Sequence, residues 1–423
     1  MQFVERDTVI DPKYAQLLGQ RTGLVNGLYA TLETREAPAG AISQPVTCSV
    51  GYMAGTHGDL DLSAGGKGRE IEQSFMSSIG EFVERYCMCF PPEEDELVEA
   101  TYEEMAASER TVDYEYLAIY DEQTTEERLD DFDRETEIYW TSGQNLLTGE
   151  EVWVPAELVW LNVGPMEHQE HFIGTSNGTA AGSSLQSALL GSILEAVERD
   201  GFMRTWCLQE SPDRVRFEDF PEVDDVLADI ENDFMDADAF FYDSPLSIPQ
   251  IGAVATRDDG GLPAFILGGA AHPDAAYAIE HALVETIQGW PFVAEISIDM
   301  GFEDLRPDDP HDNFEGNVLY YSLPENVDDV EFLMEGDRAE LPGPDTDGWD
   351  VEDHYEYCLK ELDDAGMTPI AFDLTTRDML ETDFRVTKVY IPELVPLTPP
   401  FSLPTNHPVF EGQETTDKPH PYP

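Results

Sequence analysis

Lysine is nearly absent from this chain. Five are present in 423 residues (Lys13, Lys67, Lys360, Lys388 and Lys418), and with arginine the basic residues number 22 against 88 acidic ones. The net charge is −66 although the charged fraction, 26%, is ordinary, so most of the acid must coat a surface. DNA and RNA are excluded as partners, because phosphate contacts need clustered lysine and arginine. Acid spread this evenly suits a protein that stays hydrated in molar salt, where the Debye length is about 3 Å, and predicts an extreme halophile. A disordered polyanion is excluded by the 41% hydrophobic and 10% aromatic content.

Cysteine is sparse too. The five present (Cys48, Cys87, Cys89, Cys207, Cys358) are an odd number with no disulfide framework, no signal peptide follows Met1, and no apolar run is long enough to span a bilayer. The expectation is a reduced, cytoplasmic protein with no membrane association. Cys87 and Cys89 fall on the apolar side of a helix and read as core thiols rather than a metal site. No P-loop exists: Gly65-Gly66-Lys67-Gly68 lacks both the spacing and the hydroxyl. Ser176 lacks the setting of a hydrolase elbow, and Glu167-His168-Gln169-Glu170-His171 has no third ligand and reads as a surface loop.

The element pattern is α/β (α+β). Residues 1–60 read as strands and turns forming an integral edge, 61–423 as the main unit, and 392–423 as a proline-rich tail. Helices are predicted from Glu70 to Cys89, after the small-residue loop Gly174–Gly182, from Asp274 to Gln288, and from Val351 to Ala365. A hairpin is predicted over Ile251–Thr256 and Ala264–Leu267, a strand at Glu137–Thr141, a strand pair around Glu151–Val163, and strands at Thr368–Leu374 and Arg385–Ile391. Residues 91–135 read as a solvated helical excursion, 209–238 as another acidic segment, and 304–353 as an elaborated surface loop.

What stands out is a phrase that occurs twice. Ser78-Ile79-Gly80-Glu81-Phe82-Val83-Glu84-Arg85 and Ser192-Ile193-Leu194-Glu195-Ala196-Val197-Glu198-Arg199 both read S-I-x-E-x-V-E-R. Residues three and four apart share a helix face, so each copy offers two carboxylates and an arginine together. Magnesium takes oxygen ligands, commonly a few carboxylates plus substrate phosphates. Arg85 and Arg199 would offset charge or grip phosphate, and Lys67 is a further phosphate ligand candidate. A solvated helix face bearing E-x-x-E-R is the alternative for either copy alone.

These residues resemble the YcaO superfamily. The resemblance rests on Gly66-Lys67-Gly68 leading into Glu81-x-x-Glu84-Arg85, Ser176–Gly182 leading into Glu195-x-x-Glu198-Arg199-Asp200, Ala282-Leu283-x-Glu285-x-x-Gln288, and Val386-Thr387-Lys388-Val389-Tyr390-Ile391-Pro392, and spans roughly residues 15–423. It implies a fold of several β-sheets packed by helices, with an ATP site between helices, and an enzyme dependent on ATP and Mg2+. It places the metal ligands at Glu81, Glu84, Glu195 and Glu198, and the nucleotide contacts at Lys67, Arg85, Ser183, Arg199, Gln288 and Lys388. Two positions depart from the family: Ser183 and Ser187 replace a nucleotide-binding asparagine and an acidic ligand, which lowers the charge of the site.

The ending Pro419-His420-Pro421-Tyr422-Pro423 resembles the PxPxP terminus of the azoline-forming cyclodehydratases, and implies a catalytic role for the terminal carboxylate of Pro423. A stiff polyproline-type tail delivers a charged end at little ordering cost. In that branch a Cys, Ser or Thr side chain of a ribosomal precursor peptide adds to the preceding carbonyl, the oxyanion is phosphorylated, and phosphate leaves to give an azoline. The alternatives are thioamide formation with a sulfur-delivering partner, or a docking scaffold with a weak site. Only about 60 residues precede the first motif, so an E1-like or leader-peptide-binding partner is expected, an FMN-dependent dehydrogenase can follow, and a homodimer is allowed. The acidic composition fits a haloarchaeal-type member of this bacteriocin-maturing, thiazole/oxazole-modifying group.

Overall fold

Three sheets end in edge strands that each feed a long helix. The computed structural model describes residues 14–31, 39–54, 62, 64–92, 96–120, 124, 129–161, 171–231, 235–300, 314–400 and 402–422, with backbone alone at 294–300 and 314–315. The first sheet is antiparallel, in the order β1 (Val25–Thr31), β2 (Ala41–Thr47), β3 (Gly66–Gly68). A six-stranded antiparallel sheet runs β4 (Val98–Thr101), β5 (Glu137–Asn145), β13 (Ile370–Asp373), β14 (Arg385–Tyr390), β7 (Thr179–Gly182), with β6 (Glu151–Pro155) also on β5. The third runs β11 (Phe265–Ala271), β10 (Gln250–Thr256), β9 (Asp236–Phe241), β8 (Asp213–Val215), β12 (Arg338–Ala339), antiparallel except between β8 and β12.

The helices described are α1 (Val50–Met53), α2 (Ile71–Met88), α3 (Tyr102–Ser108), α4 (Leu185–Leu208), α5 (Asp224–Ile230), α6 (Ala275–Met300), α7 (Phe314–Ser322) and α8 (Val351–Asp364). Strand β3 leads into α2, β7 into α4 and β11 into α6. Each helix packs on its own strand and on the strand of the next unit: α2 on β3 and β7, α4 on β7 and β11, α6 on β11 and β3. The three units therefore close a ring. Glycine permits the close approach, since a Cβ at Gly66, Gly182 or Gly268 would strike the backbone of the helix that follows. The apolar face of each helix supplies the adhesion: Ile79, Phe82 and Val83, then Ile193 and Val197, then Ala282 and Leu283 are fully buried, each larger side chain contributing about 1.5–3 kcal/mol.

Helices α2, α4 and α8, the β10–β11 hairpin, and strands β13 and β14 lie where the periodicity places them. Other segments differ. Residues 96–120 are no solvated helical excursion: β4 pairs with β5, and Tyr102, Met105 and Leu117 are buried, because the scattered aromatics anchor a core instead of decorating a surface. The last four residues of Gly174–Gly182 form β7, since pairing with β14 turns a small-residue loop into a strand. The pair around 151–163 is one strand followed by a 3-10 turn at Ala156–Leu158, and residues 162–170, with Glu167, His168 and Glu170, lie outside the described set. The acidic segment 209–238 contains β8 and α5. The third helix continues through Pro291 to Met300. Within 314–353 the surface-loop reading fails, because α7 buries Leu319 and Tyr321.

Candidate active site

Each of the three long helices carries a glutamate that reaches back to the strand before it. Glu81 Oε2 accepts the Gly65 amide at 2.8 Å, Glu195 Oε2 the Thr179 amide at 2.9 Å and Glu285 Oε2 the Gly269 amide at 2.9 Å, each across a span of 16 residues. The other oxygen of each faces a cation. Arg85 meets Glu81 and Arg199 meets Glu195, both at 2.7 Å and one helical turn on, while Lys67 from β3 closes on Glu285. The helix starts repeat as well: Glu70, Ser184 and Asp274 occupy the same place ahead of the three glutamates. The doubled phrase is thus two parts of a threefold repeat, whose third part reads Ala282-Leu283-Val284-Glu285-Thr286-Ile287-Gln288-Gly289.

One turn further along each helix, a second polar side chain faces the neighbouring unit. Glu84 Oε1 accepts the amide of Ala181 in β7 at 2.7 Å. Gln288 lies against Gly65, where a Cβ would strike its amide group. Glu198 accepts instead from the hydroxyl of Tyr422 in the C-terminal tail, and that hydroxyl sits over Gly269.

Burial and like charge set the electrostatics. Burial pushes Glu84 well above the usual carboxylate range, with Glu195 and Glu81 adding to the effect against the Ala181 amide. Burial also raises Glu198, opposed by Arg199 and the Tyr422 hydroxyl. Burial lowers Lys67 to about 8, against the pull of Glu198, Glu81 and Glu195. Lys388 falls to about 7 for the same reason, with Glu195 opposing. Its ammonium donates to the Thr175 carbonyl at 2.6 Å, and β14 carries it beside Thr179. Arg199 also donates to Asn177 Oδ1 at 3.0 Å, and its buried Nε has no partner among the described residues.

The structure therefore gathers Glu81, Glu84, Glu195, Glu198, Arg85, Arg199, Lys67, Lys388 and Gln288 from distant parts of the chain. Ser183 is exposed and enters none of these contacts. Ser187 closes a capping box with Ser184, its Oγ accepting the Ser184 amide at 3.0 Å, so this hydroxyl serves the helix start. Pro423 lies outside the described residues. Sequence reasoning left Glu285 without a role and missed Tyr422. The repeated spacing from strand to glutamate was the signal for the first, and nothing local signalled the second.

Among the described residues no group of three or more His, Cys, Asp or Glu converges closely enough to cage a metal. Mg2+ is typically bound through one or two carboxylates plus phosphate oxygens rather than by an all-protein cage. All-oxygen donors, two carboxylates raised by burial and a guanidinium nitrogen with no partner among the described residues suit a cation and a polyphosphate arriving together. A family profile described as YcaO cyclodehydratase, ATP- and Mg2+-binding, matches residues 65–395. The chain belongs to the YcaO family. ATP and Mg2+ are accordingly the ligands of this YcaO domain, and among the described residues no helix is long and apolar enough to cross a membrane.

Curated relatives include a protein of Methanothermobacter thermautotrophicus, 29% identical over 164 residues, covering 37% of this chain and 42% of the relative. Another, from the region 3' of tfuA in Rhizobium leguminosarum bv. trifolii, is 32% identical over 153 residues, covering 36% of this chain and 33% of the relative. The matches thus span less than half the length of either. Among solved structures, a heterocyclase in complex with substrate and cofactor superposes with a TM-score of 0.74 at 22% identity, over 97% of this chain and 56% of the other. YcaO from Methanopyrus kandleri, bound with AMPPCP and Mg2+, gives 0.64 at 18% identity, over 96% and 93% of the two chains. The Escherichia coli microcin synthetase complex with its pro-peptide bound gives 0.65 at 14% identity, over 94% and 96%. These likenesses show a shared fold of several sheets packed by helices.

Proposed function

We propose that this YcaO protein is an ATP- and Mg2+-dependent cyclodehydratase that converts Cys, Ser or Thr of a ribosomal precursor peptide to azolines. The observation that carries the reading is the contact between Tyr422 and Glu198. It brings the proline-rich tail onto the Glu198 carboxylate, and the resemblance of that tail to the PxPxP ending of the azoline-forming branch supports the reading. Glu81, Glu84, Glu195 and Glu198 would supply carboxylates to Mg2+, one or two to an ion with phosphate oxygens completing its shell, while Lys67, Arg85, Arg199, Gln288 and Lys388 would surround the phosphates. ATP supplies the phosphoryl group that makes an amide oxygen a leaving group. The carboxylate of Pro423 would take the proton of the attacking side chain.

Leader-peptide binding is assigned to a partner protein of E1-like or leader-binding type, with an FMN-dependent dehydrogenase acting afterwards, a reading supported by the likeness to a chain of the microcin synthetase complex. The test is reconstitution with peptide and partner in molar KCl. Peptide-dependent ADP release with loss of one water per ring is the expected result. Exchange of one oxygen for one sulfur would establish thioamide formation instead, and no mass change with the right peptide and partner would sink both.

A further inference from the structure

We infer that Tyr422 is a positioning residue of the carboxylate ring: its hydroxyl orients Glu198 toward Mg2+ as the Ala181 amide orients Glu84. The inference rests on the functional reading above for the identity of the cation, and on the repeat for its geometry. In a ring of three like units, the second polar side chain of two of the helices meets the strand of the next unit or the residue just ahead of it. Glu84 does so through the Ala181 amide and Gln288 does so at Gly65. Among the described residues Glu198 makes no hydrogen bond to β11. Tyr422 stands between the two, its hydroxyl on Glu198 and over Gly269, so the tail completes the one arm the body leaves open.

Neighbouring cations do not take this role. Arg199 is engaged by Glu195 and Asn177, and Lys67 by Glu285. Among the described residues the Tyr422 hydroxyl is the hydrogen-bond donor on Glu198. A donor that positions a ligand must itself be fixed, and this one is. The Tyr422 ring packs 4.7 Å from Phe202 and is 4% exposed. The strand of tail before it is held by Trp206 Nε1 on the Lys418 carbonyl at 2.8 Å, Asn317 Nδ2 on the His420 carbonyl at 2.8 Å, and His420 Nε2 on the Thr398 carbonyl at 2.6 Å. The tail therefore has a function at residue 422 separable from the one proposed for the carboxylate at 423.

The test is Tyr422→Phe, which removes the hydroxyl and keeps the ring on Phe202. A non-hydrolysable ATP analogue is titrated calorimetrically in molar KCl at stepped Mg2+. The Mg2+ needed for half-maximal nucleotide binding should rise about tenfold, with affinity at saturating Mg2+ held within about twofold. An unchanged Mg2+ requirement overturns the inference. Should the native protein bind no nucleotide at any Mg2+ level, the functional reading fails. The contact is judged independently by a double-mutant cycle with Glu198→Gln on thermal unfolding of the metal-free protein. Non-additive losses support the pairing, and additive losses overturn it.

Discussion

The Lys388 ammonium donates to the Thr175 carbonyl at 2.6 Å in a setting whose burial brings its pKa down to about 7. An unfolded lysine titrates near about 10.4, so between the two values folding releases a proton and stability rises with pH. Below the folded pKa the full cost of burying the amine is present. Lys388→Met should therefore flatten the pH dependence, gaining most on the native protein at about pH 6.5 and progressively less toward about pH 10. Denaturant unfolding across that range checks it, and parallel curves for the two proteins would refute it.

Glu195 is held by the Thr179 amide and Arg199 together. Replacing it by glutamine keeps the size but removes the charge that a hard cation needs. Glu195→Gln should weaken Mg2+-nucleotide binding by about 100-fold or more, read by calorimetry, with the fold retained by circular dichroism.

Glu285 pins β11 to α6 and neutralises Lys67. Glu285→Gln should leave Lys67 facing carboxylates on α2 and α4, change nucleotide affinity by about tenfold, and cost about 1–3 kcal/mol of stability through the weakened amide contact. A variant with native affinity and native unfolding midpoint would show the third unit to be structurally inert.

Deleting Pro423 alone should abolish ring formation while Mg2+-nucleotide binding survives, because Tyr422 remains in the chain to meet Glu198. Turnover and calorimetry on the same preparation separate the two. Loss of both would place the terminal residue in nucleotide binding rather than in proton transfer.

A net charge of −66 demands screening. Lowering KCl from molar levels to about 0.1 M lengthens the Debye length to about 10 Å and should unfold the protein, with partial protection by Mg2+-nucleotide. Equal stability at both salt levels would remove the halophilic reading.

Much of the candidate site's geometry was legible in the chain because helices report their faces locally. The spacing of Glu81 with Glu84, and of Glu195 with Glu198, sets both carboxylates of each pair on one side whatever surrounds them. The same holds for Ile79, Phe82 and Val83, whose periodicity marks the buried side of α2. Residues 96–120 misled for the opposite reason. A strand such as β4 is defined by its partner β5, and the partner is remote in sequence. Ser187 misled because a hydroxyl beside a proposed metal site serves equally well in a helix cap.

The sequence by itself determined the sign of the surface, two glutamate-bearing helices, the family and the proline-rich end. Only the tertiary structure decided that there are three such units and not two, that Glu285 stands with Glu81 and Glu195, and that Tyr422 closes the arm Glu198 leaves open. The reason is physical. The third copy kept its glutamate and its buried face, but lost the serine and arginine that make the other two recognisable as letters. Its equivalence lies in a strand amide meeting a carboxylate across 16 residues, a relation that exists only once the chain is packed.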